Sequence, residues 1–174
     1  MFDDLRFVSP DNVFELRAAA LIIHRPFLGK PRVLMATNTT TDYAYSVGGA
    51  VIFGETTREA ARREAQEETG WPVAIGALAA IEETCFTEGG RTMHIVCFHY
   101  WAEMTEAFTP SGESTVLDGG PETLRWFSAP DLDKITFYPV FYKDALANHW
   151  PGIVHSFERD GRTIIERDTG TAGS

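Results

Sequence analysis

The sequence predicts an α/β fold, a sandwich in which a mixed β-sheet lies between helices (α/β/α). Apolar or alternating stretches of strand length recur along the chain, and one helical segment has a clear start and end. The chain has 174 residues, of which 44% are hydrophobic, and contains no internal repeat or linker. We therefore expect a single domain over residues 1–160, with its core at about 16–159, and a C-terminal tail over 161–174.

The first strands of the sheet precede the helix. Residues 13–25 are first alternating and then continuously apolar, which is typical of a strand that enters a core. Residues 33–36 and 43–47 predict two shorter strands, separated by a polar, turn-rich segment. A Gly-Gly pair ends the last of these, and residues 50–53 predict a further short extended piece.

Local signals bound the helix on both sides. Thr56 and Glu59 form a capping box, and Gly70 suits the left-handed position just past a helix end. Pro72 prevents continuation, so the sequence predicts a helix from about 57 to 69. Its apolar positions are alanines, which would let the helix backbone lie close to a sheet.

Two long strands and a smaller α/β segment follow the helix. Residues 73–86 and 92–103 predict a pair of strands joined by a hairpin, whose glycines permit positive φ. Residues 105–120 are polar and predict a loop. The remaining predicted elements are a strand at 124–127, a helix that starts at 128–131, a helix at 140–148, a strand at 153–157 and a frayed end at 170–174.

Charge and composition narrow the class of partner. The chain has 25 acidic and 15 basic residues, so its formal charge of -10 would repel a nucleic-acid backbone, and we expect no nucleic-acid polymer as partner. No apolar run approaches the ~20 residues of a membrane span, and no signal peptide is recognisable. We therefore expect a cytoplasmic protein with no membrane partner.

Three glutamates on the predicted helix form the strongest functional signal. Glu64, Glu67 and Glu68 fall within an arc of about 100°, so their side chains converge on one small volume. Like charges at this spacing cost roughly 0.2 to 0.5 kcal/mol per pair, which a bound cation would relieve. Carboxylate oxygens indicate Mg²⁺ or Mn²⁺ rather than zinc. The alternative is a solvated helix face, which is what a charge run usually indicates.

The residues around the three glutamates favour the metal site. Gly49 is followed after five free positions by Glu55, and after seven more by the segment Arg-Glu-Ala-Gln-Glu-Glu-Thr-Gly-Trp. This spacing resembles the Nudix box, and a chance match has a probability on the order of one in a million. Only Trp71 departs from the pattern, because a smaller aliphatic residue is usual there. All seven invariant positions are filled, by Gly49, Glu55, Arg63, Glu64, Glu67, Glu68 and Gly70.

The resemblance to the Nudix hydrolase family implies a fold and a chemistry. It implies the Nudix fold, with the box helix packed on the sheet, and a pyrophosphohydrolase that uses Mg²⁺ or Mn²⁺ to cleave a phosphoanhydride bond. The implied substrate is a nucleoside diphosphate linked to another moiety, or a (deoxy)nucleoside triphosphate. By the same resemblance, the metal ligands are Glu64, Glu67, Glu68 and the carbonyl of Gly49.

Arg63 and Glu55 complete the predicted catalytic set with the three helix glutamates. Arg63 is expected to orient a carboxylate such as Glu55, for which a structural role and an outer-sphere metal role both stay open. The general base is expected outside the box. Its candidates are Glu82, Glu83, Glu103, Glu106 and Glu122, of which the first two lie on the strand directly after the box helix.

Tyr45, Phe86 and Arg91 are the predicted substrate-binding residues. Tyr45 and Phe86 belong to a set of strand aromatics able to stack on a base, although aromatic residues on strands are more often part of a core. Arg91 is one of four arginines considered for phosphate contact, with Arg17, Arg25 and Arg125. The sequence leaves open which nucleotide is bound and whether the protein is a monomer or a homodimer, although dimers are frequent among proteins of this resemblance.

Two other functions are compatible with parts of the sequence. The main alternative is a non-catalytic Nudix-fold module that binds or senses a nucleotide, but such modules commonly lose ligand carboxylates and this chain has kept them. Isomerase chemistry on an isoprenoid diphosphate would need a reactive cysteine near the metal. Cys85 and Cys97 are the only cysteines, lie in no recognisable motif and are expected to be reduced packing residues.

Overall fold

The computed structural model describes residues 3–104, 114–115, 122–148, 150, 152–159 and 161–167. Within these ranges the chain forms eleven strands and three helices. In chain order they are β1 (Arg6–Val8), β2 (Asn12–His24), β3 (Arg32–Asn38), β4 (Tyr43–Ala50), α1 (Thr57–Thr69), β5 (Val73–Glu88), β6 (Arg91–Met104), β7 (Ser114–Thr115), β8 (Glu122–Phe127), α2 (Ala129–Leu132), β9 (Thr136–Tyr138), α3 (Tyr142–Ala147), β10 (Val154–Arg159) and β11 (Arg162–Arg167).

The strands form a mixed sheet, as the sequence predicted. Its strand order is β11-β10-β5-β6-β2-β4-β3-β8-β7, with β1 beside β2 and β9 beside β4. The pairs β2–β6, β5–β10 and β4–β9 are parallel, whereas β5 and β6 form a long antiparallel hairpin. The predicted fold class is therefore confirmed.

Strand β2 separates two apolar layers, because successive strand residues face opposite sides of a sheet. Ala18 and Ala20 belong to the clusters that contain the buried alanines of α1. Leu21 faces the other way and packs in a cluster with Tyr142 and Leu146 of α3. Helix α1 thus packs on one side of β2, and α3 packs on the other.

Helix α1 begins and ends where the sequence predicted. Thr56 and Glu59 form the capping box, and Gly70 caps the C-terminal end with a φ of 71°. The alanines of its apolar face are completely buried, so the helix backbone lies close to β2 and β4. Among the described residues, no helix is both long and apolar enough to cross a membrane.

The structure differs from the predicted elements near the ends of the chain and at the glycine pair, which continues β4 to Ala50 instead of ending the strand. Strand β11 pairs with β10 along its whole length, so the predicted tail over 161–174 contains a strand of the sheet. All residues of β11 are exposed, and no hydrophobic pattern marks it. The predicted extended piece at 50–53 is instead the end of β4, an isolated bridge at Ile52 and a turn. Most of the predicted loop at 105–120 and all of 170–174 lie outside the described residues.

The contact between α1 and the sheet is tested by overpacking it. Ala61 is completely buried, so we expect Ala61→Leu to lower the free energy of unfolding by about 1 to 3 kcal/mol. Gln66→Leu, which adds a leucine to the exposed side of the same helix, should change it by no more than about 0.5 kcal/mol. Urea denaturation measures both. Equal effects of the two substitutions would contradict the close contact.

Candidate functional site

Two glycines bring the end of β4 against the carboxylates of α1. The backbone N–H of Gly48 donates to Oε1 of Glu68 at 2.9 Å. A Cβ atom on Gly49 would lie 2.4 Å from the carboxylate of Glu64, and one on Gly48 would lie 2.3 Å from the carbonyl oxygen of Ala18. A side chain at Gly48 would meet the backbone of β2, whereas one at Gly49 would displace the carboxylate of Glu64.

The charge of the buried helix glutamates is only partly compensated by protein groups. Glu68 is 7% exposed. Its burial, together with the charges of Glu122 and Glu64, outweighs the hydrogen bond from Gly48 and raises the pKa of Glu68 to about 8. Burial also raises the pKa of Glu64, against the opposing effect of Arg63. A nearby divalent cation would favour the charged form of both carboxylates.

Arg63 links the helix glutamates to the turn before the helix. Its Nη2 and Nε donate to the two carboxylate oxygens of Glu55 at 2.7 and 3.2 Å. Its Nη1 donates to Glu64 at 2.7 Å and to Glu67 at 3.1 Å, and Nη2 also donates to the carbonyl of Ala50 at 3.0 Å. The contact between Arg63 and Glu55 is the one that the sequence predicted.

Glu55 is held in its ionised form by these contacts. Burial acts to raise the pKa of Glu55, but hydrogen bonds from Arg63 and from the backbone N–H of Ile52 outweigh it and lower that pKa. The pair therefore ties α1 to the turn that follows β4. The contacts give Glu55 a structural role, and its catalytic role stays a prediction.

The donor set fits a hard divalent cation. Carboxylate oxygens of Glu64, Glu67 and Glu68, with a backbone carbonyl at Gly49, are the ligand type that Mg²⁺ and Mn²⁺ prefer. Among the described residues, however, no three Asp, Glu, His or Cys side chains stand close enough to enclose an ion. Glu64 and Glu68 lie at the glycine pair of β4, whereas the Glu67 side chain is 52% exposed and contacts Arg63.

A cavity of about 630 Å³ adjoins these carboxylates. This volume lies in the range of about 300 to 1,000 Å³ that is usual for small-molecule sites. Tyr45 and Glu122 line it, and the Tyr45 hydroxyl donates to Glu122 at 2.5 Å. The charge of Glu122 raises the pKa of Glu68, so this wall of the cavity is close enough to α1 for the two carboxylates to interact electrostatically.

Arg17 connects the cavity with the glycine pair of β4. Its side chain lines the cavity, and its Nη2 donates to the carbonyl oxygen of Gly48 at 3.0 Å. Its Nη1 lies 3.4 Å from a carboxylate oxygen of Glu15. The positive charge of Arg17 also acts to lower the pKa of Glu64 and the pKa of Glu68. Among the arginines considered for phosphate contact, it is the one in the cavity wall next to the carboxylates.

The structure separates the predicted substrate-binding residues. Tyr45 and Phe86 both line the cavity, but Arg91 begins β6 opposite Glu88 and is not part of the lining. Arg25 donates to two carbonyl oxygens at the end of α3, which is a structural role. Nothing in the sequence distinguishes Arg17 from the other arginines, because its position depends on the pairing of β2 with β4 and β6.

The candidate general bases also differ in their position relative to the cavity and to Glu68. Glu82 lines the cavity. Glu83 is outside the lining, and its Oε1 lies 2.9 Å from Nε2 of His94. Glu122 is the candidate in electrostatic contact with Glu68. Glu103 is exposed on β6, and Glu106 lies outside the described residues.

Comparison with known proteins assigns the family. The family model of the NUDIX domain matches residues 4–148. The chain therefore belongs to the Nudix hydrolases, a family of pyrophosphohydrolases. A comparison with curated proteins finds no match.

Solved structures show the same fold at low sequence identity. The mutator MutT protein from Bacillus halodurans is 16% identical over 88% of this chain and 97% of that one, with a TM-score of 0.55. A Nudix-family hydrolase from Clostridium perfringens is 20% identical over 76% of this chain and 96% of that one, with a TM-score of 0.55. The Ap4A hydrolase of C. elegans, solved as a binary complex, is 18% identical over 76% and 93%, with a TM-score of 0.54.

The role of Arg63 as a clamp, which holds Glu55 of the preceding turn against α1, is tested in the absence of metal. Arg63→Lys keeps the charge but loses the planar fork that holds Glu55, so we expect it to lower the free energy of unfolding by about 1 to 3 kcal/mol. The control is Arg62→Lys, made at the exposed neighbouring arginine, which should change it by no more than about 0.5 kcal/mol. Urea denaturation with a chelator present measures both, and a lysine tolerated equally at the two positions would contradict the clamp.

Proposed function

We propose that this Nudix hydrolase is a Mg²⁺-dependent enzyme that cleaves a phosphoanhydride bond in a nucleotide derivative. The substrate class is a nucleoside diphosphate linked to another moiety, or a (deoxy)nucleoside triphosphate. One observation carries the proposal: Glu64 and Glu68 of a complete Nudix box lie against the glycine pair of β4, and Arg17 joins this pair to a cavity large enough for a nucleoside.

The proposed metal ligands are Glu64, Glu67 and Glu68, together with the carbonyl of Gly49. A bound Mg²⁺ would neutralise charge on the phosphate oxygens and polarise the phosphorus centre for attack by water. The raised pKa values of Glu64 and Glu68 support the proposal, because their charged forms gain most from a cation. Arg63 would hold the helix and Glu55 in register while the ion is bound.

Arg17 is proposed to contact the phosphate chain of the substrate. Its guanidinium lies at the carbonyl of Gly48, between the cavity and the helix carboxylates. Guanidinium groups bind phosphate through two parallel hydrogen bonds. The phosphates would then lie at the glycine pair of β4, and the nucleoside would lie in the cavity.

The proposal is tested by turnover of a nucleotide panel with Mg²⁺ or Mn²⁺. The panel contains 8-oxo-dGTP, the ordinary nucleoside triphosphates, ADP-ribose, NADH, diadenosine polyphosphates and sugar nucleotides, and released phosphate or nucleotide product is measured. We expect turnover that a chelator abolishes and that Glu67→Gln and Glu68→Gln each lower by at least about a hundredfold.

A matched control is Glu166→Gln, which makes the same change on the exposed strand β11 and should leave turnover unchanged. Full activity in both helix variants would contradict the proposed site. Tight nucleotide binding without turnover of any compound in the panel would instead indicate a binding or sensor module.

Gly49 offers a test of the metal site that does not depend on turnover. In Gly49→Ala, the new Cβ would displace the flexible end of Glu64, so we expect the Mg²⁺ affinity to fall by about tenfold or more while the fold is kept. Metal-dependent stabilisation in a thermal unfolding series measures this affinity. Gly48→Ala should instead lower the melting temperature, because its Cβ meets backbone atoms of β2. Unchanged Mg²⁺ affinity in Gly49→Ala would exclude Glu64 as a ligand.

A further inference from the structure

A buried histidine holds one of the carboxylates that line the cavity. His99 is 0% exposed, and its Nδ1 lies 3.0 Å from the hydroxyl of Tyr142, which is also completely buried. Its Nε2 lies 3.2 Å from Oε2 of Glu82, whose side chain lines the cavity. None of these three residues belongs to the Nudix box. Glu82 is one of the candidate general bases, but the proposed function assigns it no role.

The direction of these hydrogen bonds follows from the groups involved. A carboxylate can only accept, so Nε2 of His99 carries a proton and donates it to Glu82. Complete burial acts to lower the pKa of His99, but its contacts with Cys97, Tyr142 and Glu82 raise that pKa well above the ordinary value.

The histidine presents Glu82 to the cavity as a preorganised acceptor. A free glutamate side chain samples many rotamers, and the bond from a buried ring restricts it to those that keep Oε2 near His99. Each carboxylate oxygen has two lone pairs, so one bond from His99 leaves acceptor capacity on both oxygens. A ligand in the cavity would thus meet a carboxylate whose orientation is already set.

A second carboxylate makes this end of the cavity more negative. Glu158 on β10 also lines the cavity. Ser156, two residues before it on the same strand, pairs with Glu82 across the two parallel strands. Burial and the charge of Glu82 raise the pKa of Glu158. The guanidinium of Arg17 contacts Glu15 and the carbonyl of Gly48. A ligand group that contacts the carboxylates of Glu82 and Glu158 must therefore bring hydrogen-bond donors rather than lone pairs.

Aromatic side chains favour a planar ligand group in the same cavity. Phe86 is 36% exposed and Tyr138 is 38% exposed, and both belong to the lining. Tyr138 is oriented by an edge-to-face contact with Tyr43 at 5.6 Å between ring centroids. Exposed rings in a cavity provide stacking surfaces for a flat heterocycle.

We infer that Glu82 is a specificity-determining residue that selects guanine nucleotides, with His99 and Tyr142 as its positioning residues. The inference rests on the proposed function, since it takes the cavity to hold the base of the substrate. Among the standard bases, guanine alone presents two adjacent donors, N1–H and the N2 amino group, on its Watson–Crick edge. One carboxylate accepts both. Adenine and cytosine place a ring-nitrogen lone pair beside their amino group, and uracil and thymine flank one N–H with two carbonyls.

The test is metal-free binding of GMP, AMP, CMP and UMP, measured by isothermal titration calorimetry in a chelator. We expect the wild-type protein to bind GMP at least about tenfold more tightly than the other three. Glu82→Gln keeps the shape of the side chain but replaces one acceptor with a donor, so GMP affinity should fall at least about tenfold and AMP affinity should not fall.

The matched control is Glu83→Gln, which makes the same change on the adjacent residue outside the cavity lining and should keep the wild-type preference. Tyr142→Phe removes only the hydroxyl that contacts His99, so we expect a smaller fall in the ratio of GMP to AMP affinity. A purely structural role of Tyr142 would lower the melting temperature and leave that ratio unchanged.

Two results would overturn the inference. The first is a wild-type protein without a preference for GMP, including one that binds none of the four monophosphates at millimolar concentration. The second is a preference that Glu82→Gln retains. Because binding is measured without metal, the outcome is independent of turnover. A hydrolase indifferent to the base would refute this inference alone, and selective GMP binding without any metal-dependent hydrolysis would refute the proposed function alone.

Discussion

The close approach of α1 to the sheet is the constraint on which the candidate site depends. Completely buried alanines on the helix keep it close to the sheet, and the absence of a side chain on Gly49 leaves room for the carboxylate of Glu64. This distance allows the backbone N–H of Gly48 to reach Glu68. It also buries that carboxylate, and the energetic cost of a buried charge is what a bound cation would offset.

Arg63 couples the structural and the chemical parts of the box. Its guanidinium contacts Glu55 on one side and Glu64 and Glu67 on the other. Glu64 and Glu67 are also proposed metal ligands, so we expect metal binding to change how many carboxylates Arg63 holds. The contact with Glu55 and the carbonyl of Ala50 remains available in either case.

Local signals explain which elements the sequence predicted well. Helix α1 is bounded by Thr56 and Gly70, whose effects act within a few residues, and its predicted limits agree with the structure. The long strands β5 and β6 carry enough apolar residues to be recognised. Strands β1 and β9 have three residues each, and β11 is exposed throughout, so each depends on its partner strand and has no periodic signal of its own.

The sequence by itself determined the family and the set of charged groups on α1. The helical period alone places Glu64, Glu67 and Glu68 on one face of the helix, whatever the helix packs against. Only the tertiary structure decided which groups surround the cavity. Strand alternation places Glu82 and Glu83 on opposite sides, but which of them meets the cavity depends on how β5 packs. The contact between His99 and Tyr142 joins residues 43 positions apart. Such neighbours arise from the packing of distant elements, which no local pattern in the sequence encodes.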